Sequence, residues 1–128
     1  MAPDSKSLNI LVVDNGESTT APVSVVLKQA GHRVDVVHDG QIALSAITEE
    51  PARYHLVITD HRMKFAGLEL VTGLRKIAFP GKILILSASL QPEAEDAYRV
   101  LGVETFISKP FDVADLRNAV QKLTGPEG

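Results

Sequence analysis

Five short apolar runs, spaced at intervals of about 20–25 residues, constrain the fold of this chain more than any other feature. Each run is rich in Val, Ile or Leu and is bounded by polar or turn-forming residues, which is typical of strands buried in a sheet. The runs occupy residues 8–13, 33–37, 56–59, 82–86 and 105–107. The second run alternates apolar and polar residues, which predicts an edge strand.

The segments between the runs predict five helices. Pro22 fits only the first turn of a helix, so we expect the first helix to begin late, capped by Thr19 or Thr20. Asp39 and Asp112 are expected at the starts of the second and last helices. The apolar spacing places Ile42, Val100 and Val113 among the inward residues of the second, fourth and fifth helices.

Strands that alternate with helices through short connections predict one parallel sheet covered on both faces. We expect an α/β fold of the flavodoxin-like (βα)5 type, a doubly wound five-stranded sheet of order 2-1-3-4-5. In this order, the segments that follow the first and third strands meet at one crevice. The predicted domain spans residues 8–124, with an N-terminal tail at 1–7 and a tail, linker or expression scar at 125–128.

Composition narrows the class of protein. The chain has 128 residues, which suits one domain, and no cysteine, which excludes disulfides, thiolate metal sites and a cysteine nucleophile. The net charge is −3 and there is no basic run, so we expect no direct contact with nucleic acid. No apolar run is long enough to span a membrane and no secretory signal begins the chain, so we expect a cytoplasmic protein.

Polar residues follow four of the predicted strands. Asp60 follows the third strand, Asp14 and Asn15 follow the first, and Ser87 and Lys109 follow the fourth and fifth. Carboxylate and amide oxygens are suitable ligands for Mg²⁺, and a hydroxyl and an ammonium group can hold phosphoryl oxygens. An aspartate beside a metal ion and a lysine can act as the nucleophile in phosphoryl transfer.

Each of these residues also has a simpler structural interpretation. Asp60 and Asp14 could cap a loop or a helix, Ser87 could satisfy a backbone group at a strand end, and Lys109 could be solvated. The functional interpretation depends on the agreement among several strand ends. The four histidines lack metal-ligand spacing and are expected on the surface or in loops, and only His61 is adjacent to the site.

Four segments of the chain resemble the receiver domain of two-component response regulators. They are Ile10-Leu11-Val12-Val13-Asp14, Asp60 to Met63 followed by Gly67-Leu68-Glu69, Leu86-Ser87-Ala88, and Lys109-Pro110-Phe111. The resemblance covers essentially the whole chain and implies that Asp60 accepts a phosphoryl group from a histidine kinase, with Mg²⁺ bound. Ser87 and Lys109 match the residues that contact the phosphoryl group in that family.

The same resemblance implies a metal site and a switch. Asp14, Asn15 and Asp60 match the positions that hold Mg²⁺, and Arg62 would add its backbone carbonyl. Phe106 matches an aromatic switch residue that works with the site serine, although packing in the core is an equally open role for it. Arg62 and Ser89 match positions that tune the lifetime of the phosphoryl group in the family.

The sequence departs from the family pattern in two places. Asn15 stands where the family has a second acid, and an asparagine lacks the charge. A pair of unit charges about 4 Å apart is worth ~4 kcal/mol at an effective dielectric of 20, so weaker Mg²⁺ binding is expected. Lys64 stands where the family usually has proline, and the loop after Asp60 is one residue short before Gly67.

Three functions follow from these residues. The first is a phospho-accepting receiver, not an enzyme, that is served by a histidine kinase or phosphotransfer protein, acts on a downstream protein or fused output domain, and is able to form a homodimer. The second is a receiver-like interaction module that acts without phosphorylation, favoured by Asn15 and Lys64. The third, an aspartate-dependent phosphohydrolase, usually needs a second aspartate two residues after the nucleophile, and Arg62 occupies that position.

Overall fold

The computed structural model describes residues 7–13, 17–61, 67–88, 90–108 and 111–124, in which strands and helices alternate. The strands are β1 (Asn9–Val13), β2 (Arg33–Val37), β3 (Leu56–Asp60), β4 (Lys82–Ser87) and β5 (Thr105–Ser108). The helices are α1 (Glu17–Gln29), α2 (Gly40–Glu49), α3 (Leu68–Lys76), α4 (Pro92–Val100) and α5 (Val113–Thr124). Within these ranges, no helix has the length and apolar character needed to cross a membrane.

The strands form one parallel sheet of order β2-β1-β3-β4-β5, which confirms the predicted α/β topology. The strand β2 lies at an edge, as its alternating sequence predicted. Val13 of β1 pairs with Thr59 of β3, and Asp60 pairs with Leu86 of β4. The three central strands therefore end together at one edge of the sheet.

Alternate residues of the strands form two separate hydrophobic cores. In β1, Leu11 and Val13 face the core that includes residues of α2, α3 and α4, whereas Ile10 and Val12 face the core shared with α1 and α5. The central strands are buried on both faces, which explains why their sequences are continuously apolar instead of alternating.

Two aspartates cap helices as predicted. Asp39 accepts hydrogen bonds from the backbone N–H groups of Gln41 (2.6 Å) and Ile42 (3.4 Å) at the start of α2. Asp112 accepts one from the backbone N–H of Asp115 (2.9 Å), and Asp115 accepts one in return from the backbone N–H of Asp112 (3.3 Å). These bonds satisfy N–H groups that have no partner within the helix.

The prediction for the start of α1 was wrong. The helix begins at Glu17, before Thr19 and Thr20, so Pro22 lies beyond its first turn. A proline there removes one backbone hydrogen bond. Val23 and Leu27 are buried against the sheet, and this packing stabilises a helical path that local propensity alone disfavours.

Three residues that were expected to face inward are exposed. Ile42 is 56%, Val100 86% and Val113 50% exposed. Each lies on a helix whose inward positions are filled by other side chains: Ala43 and Ile47 in α2, Tyr98 in α4, and Leu116 and Val120 in α5. The apolar pattern therefore indicated the correct face of α2 and α5 apart from Ile42 and Val113, whereas in α4 the buried residue is Tyr98 and not Val100.

Candidate functional site

Asp60 is the last residue of β3, at the centre of the sheet edge where the strands end. Only 8% of its surface is exposed, so it is one of the few polar residues that are buried in the described part of the chain. The sequence explains its position because the apolar run Leu56-Val57-Ile58 fixes β3 in the core and places the following carboxylate at the rim. Ligands bind outside the carboxyl ends of the strands in open parallel sheets of this kind.

Ser87 ends the neighbouring strand β4 and is 4% exposed. Asp60 pairs with Leu86, so Ser87 lies one residue beyond that pair on the adjacent strand. The structure therefore brings two of the predicted site residues, a carboxylate and a hydroxyl, to adjacent strand ends. A carboxylate can act as a nucleophile and a hydroxyl can donate a hydrogen bond, so both kinds of group lie at the same rim of the sheet.

The remaining predicted site residues lie outside the described residues. These are Asp14, Asn15, Arg62, Lys109 and the lifetime position Ser89. The strand β1 ends at Val13, directly before Asp14 and Asn15 in the chain. The strand β5 ends at Ser108, directly before Lys109. The assignment of roles to these residues, and to Asp60 and Ser87, stays a prediction.

The described part of the site fits Mg²⁺ by the chemistry of its donor. Mg²⁺ binds oxygen ligands and typically takes one or two carboxylates while keeping several waters. Asp60 supplies such a carboxylate at the rim. Across the described ranges, no group of three or more His, Asp or Glu side chains forms an alternative metal cluster.

His61, which follows Asp60, makes an unexpected contact with α4. Its Nδ1 and the hydroxyl oxygen of Tyr98 share a hydrogen bond of 2.6 Å, and the two rings meet edge to face with centroids 5.5 Å apart. The backbone N–H of His61 donates to the carbonyl of Leu86 at 2.9 Å. His61 is thus joined to β4 through its backbone and to α4 through its side chain.

Tyr98, a residue of α4, is completely buried. Burial raises the pKa of its hydroxyl, and the negative charge of Asp60 raises that pKa further. The hydroxyl is therefore protonated at neutral pH and donates a hydrogen bond to Nδ1 of His61 in the tautomer that leaves this nitrogen without a proton.

Phe106 extends the aromatic contacts to β5. Its ring meets that of Tyr98 edge to face with centroids 5.8 Å apart, and the guanidinium of Arg99 lies 5.3 Å from its centroid. Phe106 is half-buried and packs against the core on the α4 side of the sheet. The structure gives it a packing role, and its role as a switch stays a prediction.

Gly67, directly before α3, lies against both His61 and Tyr98. Its φ of 58° and ψ of −123° are disfavoured for residues with a side chain. A Cβ atom here would lie 2.5 Å from the Tyr98 hydroxyl oxygen and 2.8 Å from the His61 carbonyl oxygen. The absence of a side chain at residue 67 therefore leaves the space that the Tyr98 hydroxyl occupies.

Sequence reasoning missed Tyr98. It placed Val100 on the inward face of α4, whereas Tyr98 is the buried residue of that helix. The spacing of Ala94, Tyr98 and Leu101 at i, i+4 and i+7 was the signal that could have identified it. The bond to His61 joins residues 37 positions apart and leaves no local signal in the sequence.

A family model and the related proteins described below indicate the same protein family. The family model described as the response regulator receiver domain matches residues 10–121. The chain is 32% identical over 123 residues to the sensory/regulatory protein RpfC of Xanthomonas campestris pv. campestris, an alignment that covers 92% of this chain and 17% of that protein. It is 27% identical over 114 residues to sporulation initiation phosphotransferase F of Bacillus subtilis, covering 88% of this chain and 90% of that protein.

Solved structures agree with the fold. The chemotaxis protein CheY4 of Vibrio cholerae superposes with a TM-score of 0.83 at 28% identity, over 93% of this chain and 100% of that chain. The chain spans less than a fifth of the length of RpfC, so it corresponds to one part of that relative.

Proposed function

Because the chain belongs to the response regulator receiver domain family, we propose that it accepts a phosphoryl group on Asp60 and thereby switches a protein-interaction surface. The observation that carries this proposal is the position of Asp60. It is a buried carboxylate at the carboxyl end of the central strand, and the hydroxyl-bearing Ser87 ends the adjacent strand.

In the proposed transfer, a carboxylate oxygen of Asp60 attacks the phosphorus of a phosphohistidine on the donor protein. The new P–O bond forms as the P–N bond breaks, and the departing imidazole nitrogen keeps the electron pair and takes up a proton from solvent. The Ser87 hydroxyl donates a hydrogen bond to a phosphoryl oxygen, and the Lys109 ammonium group pairs with the same group. Their work is to hold and orient the group and to stabilise its negative charge.

The proposed cofactor is Mg²⁺, held by Asp14, Asn15 and Asp60 with the backbone carbonyl of Arg62. When bound, the ion supplies positive charge that offsets the charge of the phosphoryl oxygens. Asn15 contributes an oxygen without a charge, so we expect the affinity for Mg²⁺ to be lower than that of the Asn15→Asp variant.

The proposed donors are a histidine kinase or a phosphotransfer protein. The relatives include a sensor histidine kinase, AruS of Pseudomonas aeruginosa, which is 28% identical to the chain over 124 residues. The proposed recipient of the signal is a downstream protein or a fused output domain, reached directly or through a homodimer. The domain acts as a switch in this scheme, not as an enzyme with its own substrate turnover.

A second candidate function rests on Asn15. If the uncharged ligand weakens Mg²⁺ binding enough, the domain works as a receiver-like interaction module without phosphorylation. The two functions differ in one measurable property, which is the response of the site to Mg²⁺ and a phosphoryl analogue.

The test is a titration with Mg²⁺ and then with beryllofluoride. The amide NMR signals of Asp60 and Ser87 are monitored throughout the titration. Saturable shifts with both reagents, absent in Asp60→Asn, are expected for the phospho-acceptor. Acetyl phosphate should produce a phosphorylated species detectable by intact-protein mass spectrometry in the wild type and not in Asp60→Asn. An unchanged wild-type spectrum, together with shifts in Asn15→Asp, supports the interaction module instead.

A further inference from the structure

The hydrogen bond between His61 and Tyr98 has no role in the phosphoryl-transfer chemistry proposed above. It nevertheless joins the residue next to Asp60 to the last turn of α4. His61 is also fixed to β4 by its backbone bond to Leu86, the residue that pairs with Asp60 and precedes Ser87. Any displacement of the ends of β3 and β4 therefore reaches the imidazole of His61.

From Tyr98, the contacts continue to β5. The Tyr98 ring contacts the Phe106 ring edge to face. The guanidinium of Arg99, the next residue of α4, lies over the Phe106 ring. The side chains of His61, Tyr98 and Phe106 thus form a continuous path of contacts from the end of β3 to α4 and β5. Phe106 has no hydroxyl group, so Tyr98 provides the polar contact in this path.

The surroundings of the Tyr98 hydroxyl leave it little freedom. The residue is fully buried, and only the absence of a side chain at Gly67 makes room for its oxygen. Packed interiors respond to small displacements by changing between discrete arrangements and not by continuous deformation. A shift of His61 must therefore either move Tyr98 with it or break the 2.6 Å hydrogen bond.

We propose, building on the phospho-acceptor function above, that Tyr98 is a positioning residue whose hydrogen bond to His61 couples the state of Asp60 to α4 and β5. When Asp60 carries a phosphoryl group, the ends of β3 and β4 adjust around it. The His61–Tyr98 bond transmits this adjustment to α4, and the contact between Tyr98 and Phe106 transmits it to β5. The surface that partners read is thus controlled through Tyr98.

The test uses the two tyrosines of the chain as a matched pair. Tyr98→Phe removes the hydroxyl and keeps the ring. Tyr54→Phe is the control, because Tyr54 is also buried and its hydroxyl also donates a bond of 2.6 Å, to Asp35, but it precedes β3 and lies away from the end that carries Asp60. Each protein is saturated with Mg²⁺ and beryllofluoride and its amide NMR shifts are compared with those before addition.

The Ser87 amide reports binding at the acceptor, and the Arg99, Val100 and Phe106 amides report transmission. We expect wild type and Tyr54→Phe to show both sets of shifts. Tyr98→Phe should keep the Ser87 shift and lose the shifts in α4 and β5. Shifts in α4 and β5 equal to those of the wild type would overturn the coupling role of Tyr98.

A second variant breaks the same hydrogen bond from its half-buried side. His61→Leu should also lose the α4 and β5 shifts, and combining it with Tyr98→Phe should cause no further loss, because both changes remove one interaction. This variant decides the question if Tyr98→Phe does not fold. If the Ser87 amide of the wild type does not shift with beryllofluoride, the phospho-acceptor function is overturned as well. If His61→Leu keeps the shifts in α4 and β5, only the coupling is overturned.

Discussion

His32 and His55 illustrate how single side chains secure the start of the sheet. The Nδ1 atom of His32 accepts a hydrogen bond from the backbone N–H of Leu8 (3.2 Å), and that of His55 accepts one from Asn9 (3.0 Å). A ring nitrogen accepts only when it carries no proton. These bonds join residues 24 and 46 positions apart, so the sequence offered no local indication of them and predicted only loop or surface histidines.

We predict that the free energy of unfolding falls as the pH is lowered below about 6.5, partly through His32. Burial lowers the pKa of His32 in the folded chain. Below the unfolded value, the unfolded chain therefore binds a proton that the folded chain does not, and the stability present above that pH is progressively lost. Urea unfolding at a series of pH values measures this slope.

The matched variant for this prediction is His32→Asn. Its side-chain oxygen can accept the bond from Leu8, but it does not titrate. The variant should therefore show a smaller loss of stability than the wild type over the same pH range. Equal losses in the two proteins would show that His32 does not contribute to the pH dependence.

At the scale of elements, the sequence predicted the existence and order of strands and helices better than their orientation. Strand positions followed directly from the apolar runs because the sheet is buried on both faces. The inward face of α4 did not follow, since Val100 and Tyr98 are both compatible with burial and packing against the core, including His61 and Phe106, selects Tyr98. Helix rotation depends on contacts between elements, which a local pattern does not contain.

The start of α3 provides a prediction at this scale. Gly67→Ala should destabilise the fold by about 2–5 kcal/mol, because it adds backbone strain to crowding against Tyr98 and His61. Gly31→Ala is the control, since Gly31 also has a positive φ (97°) but a Cβ there meets nothing within 4 Å. It should cost only about 1–2 kcal/mol, the strain alone.

Urea unfolding of the two alanine variants gives both values. Adding Tyr98→Phe to Gly67→Ala removes the hydroxyl oxygen that a Cβ would approach to 2.5 Å, so the double variant should cost less than the sum of the two single changes. Additive costs would mean that crowding at the hydroxyl does not contribute.

For the whole molecule, the order of strands was enough to locate the candidate site from sequence. Once β3 and β4 are adjacent and parallel, their carboxyl ends lie side by side, and Asp60 and Ser87 lie at neighbouring strand ends as expected. The path through Tyr98 could not be located in this way. It depends on how a helix packs against the sheet, and its hydrogen bond connects residues from two different βα units.

The whole domain should respond to occupation of the site by gaining stability. A ligand that binds only the folded state raises the free energy of unfolding by RT ln(1 + [L]/Kd), which is about 2.7 kcal/mol at ~100 times Kd. Beryllofluoride with saturating Mg²⁺ should therefore raise the unfolding midpoint of the wild type in urea, whereas Asp60→Asn should show no gain because it lacks the acceptor carboxylate. Asn15→Asp should reach the same gain at lower Mg²⁺ concentration, since the added charge strengthens metal binding. An equal gain in Asp60→Asn would mean that the ligand binds elsewhere on the fold.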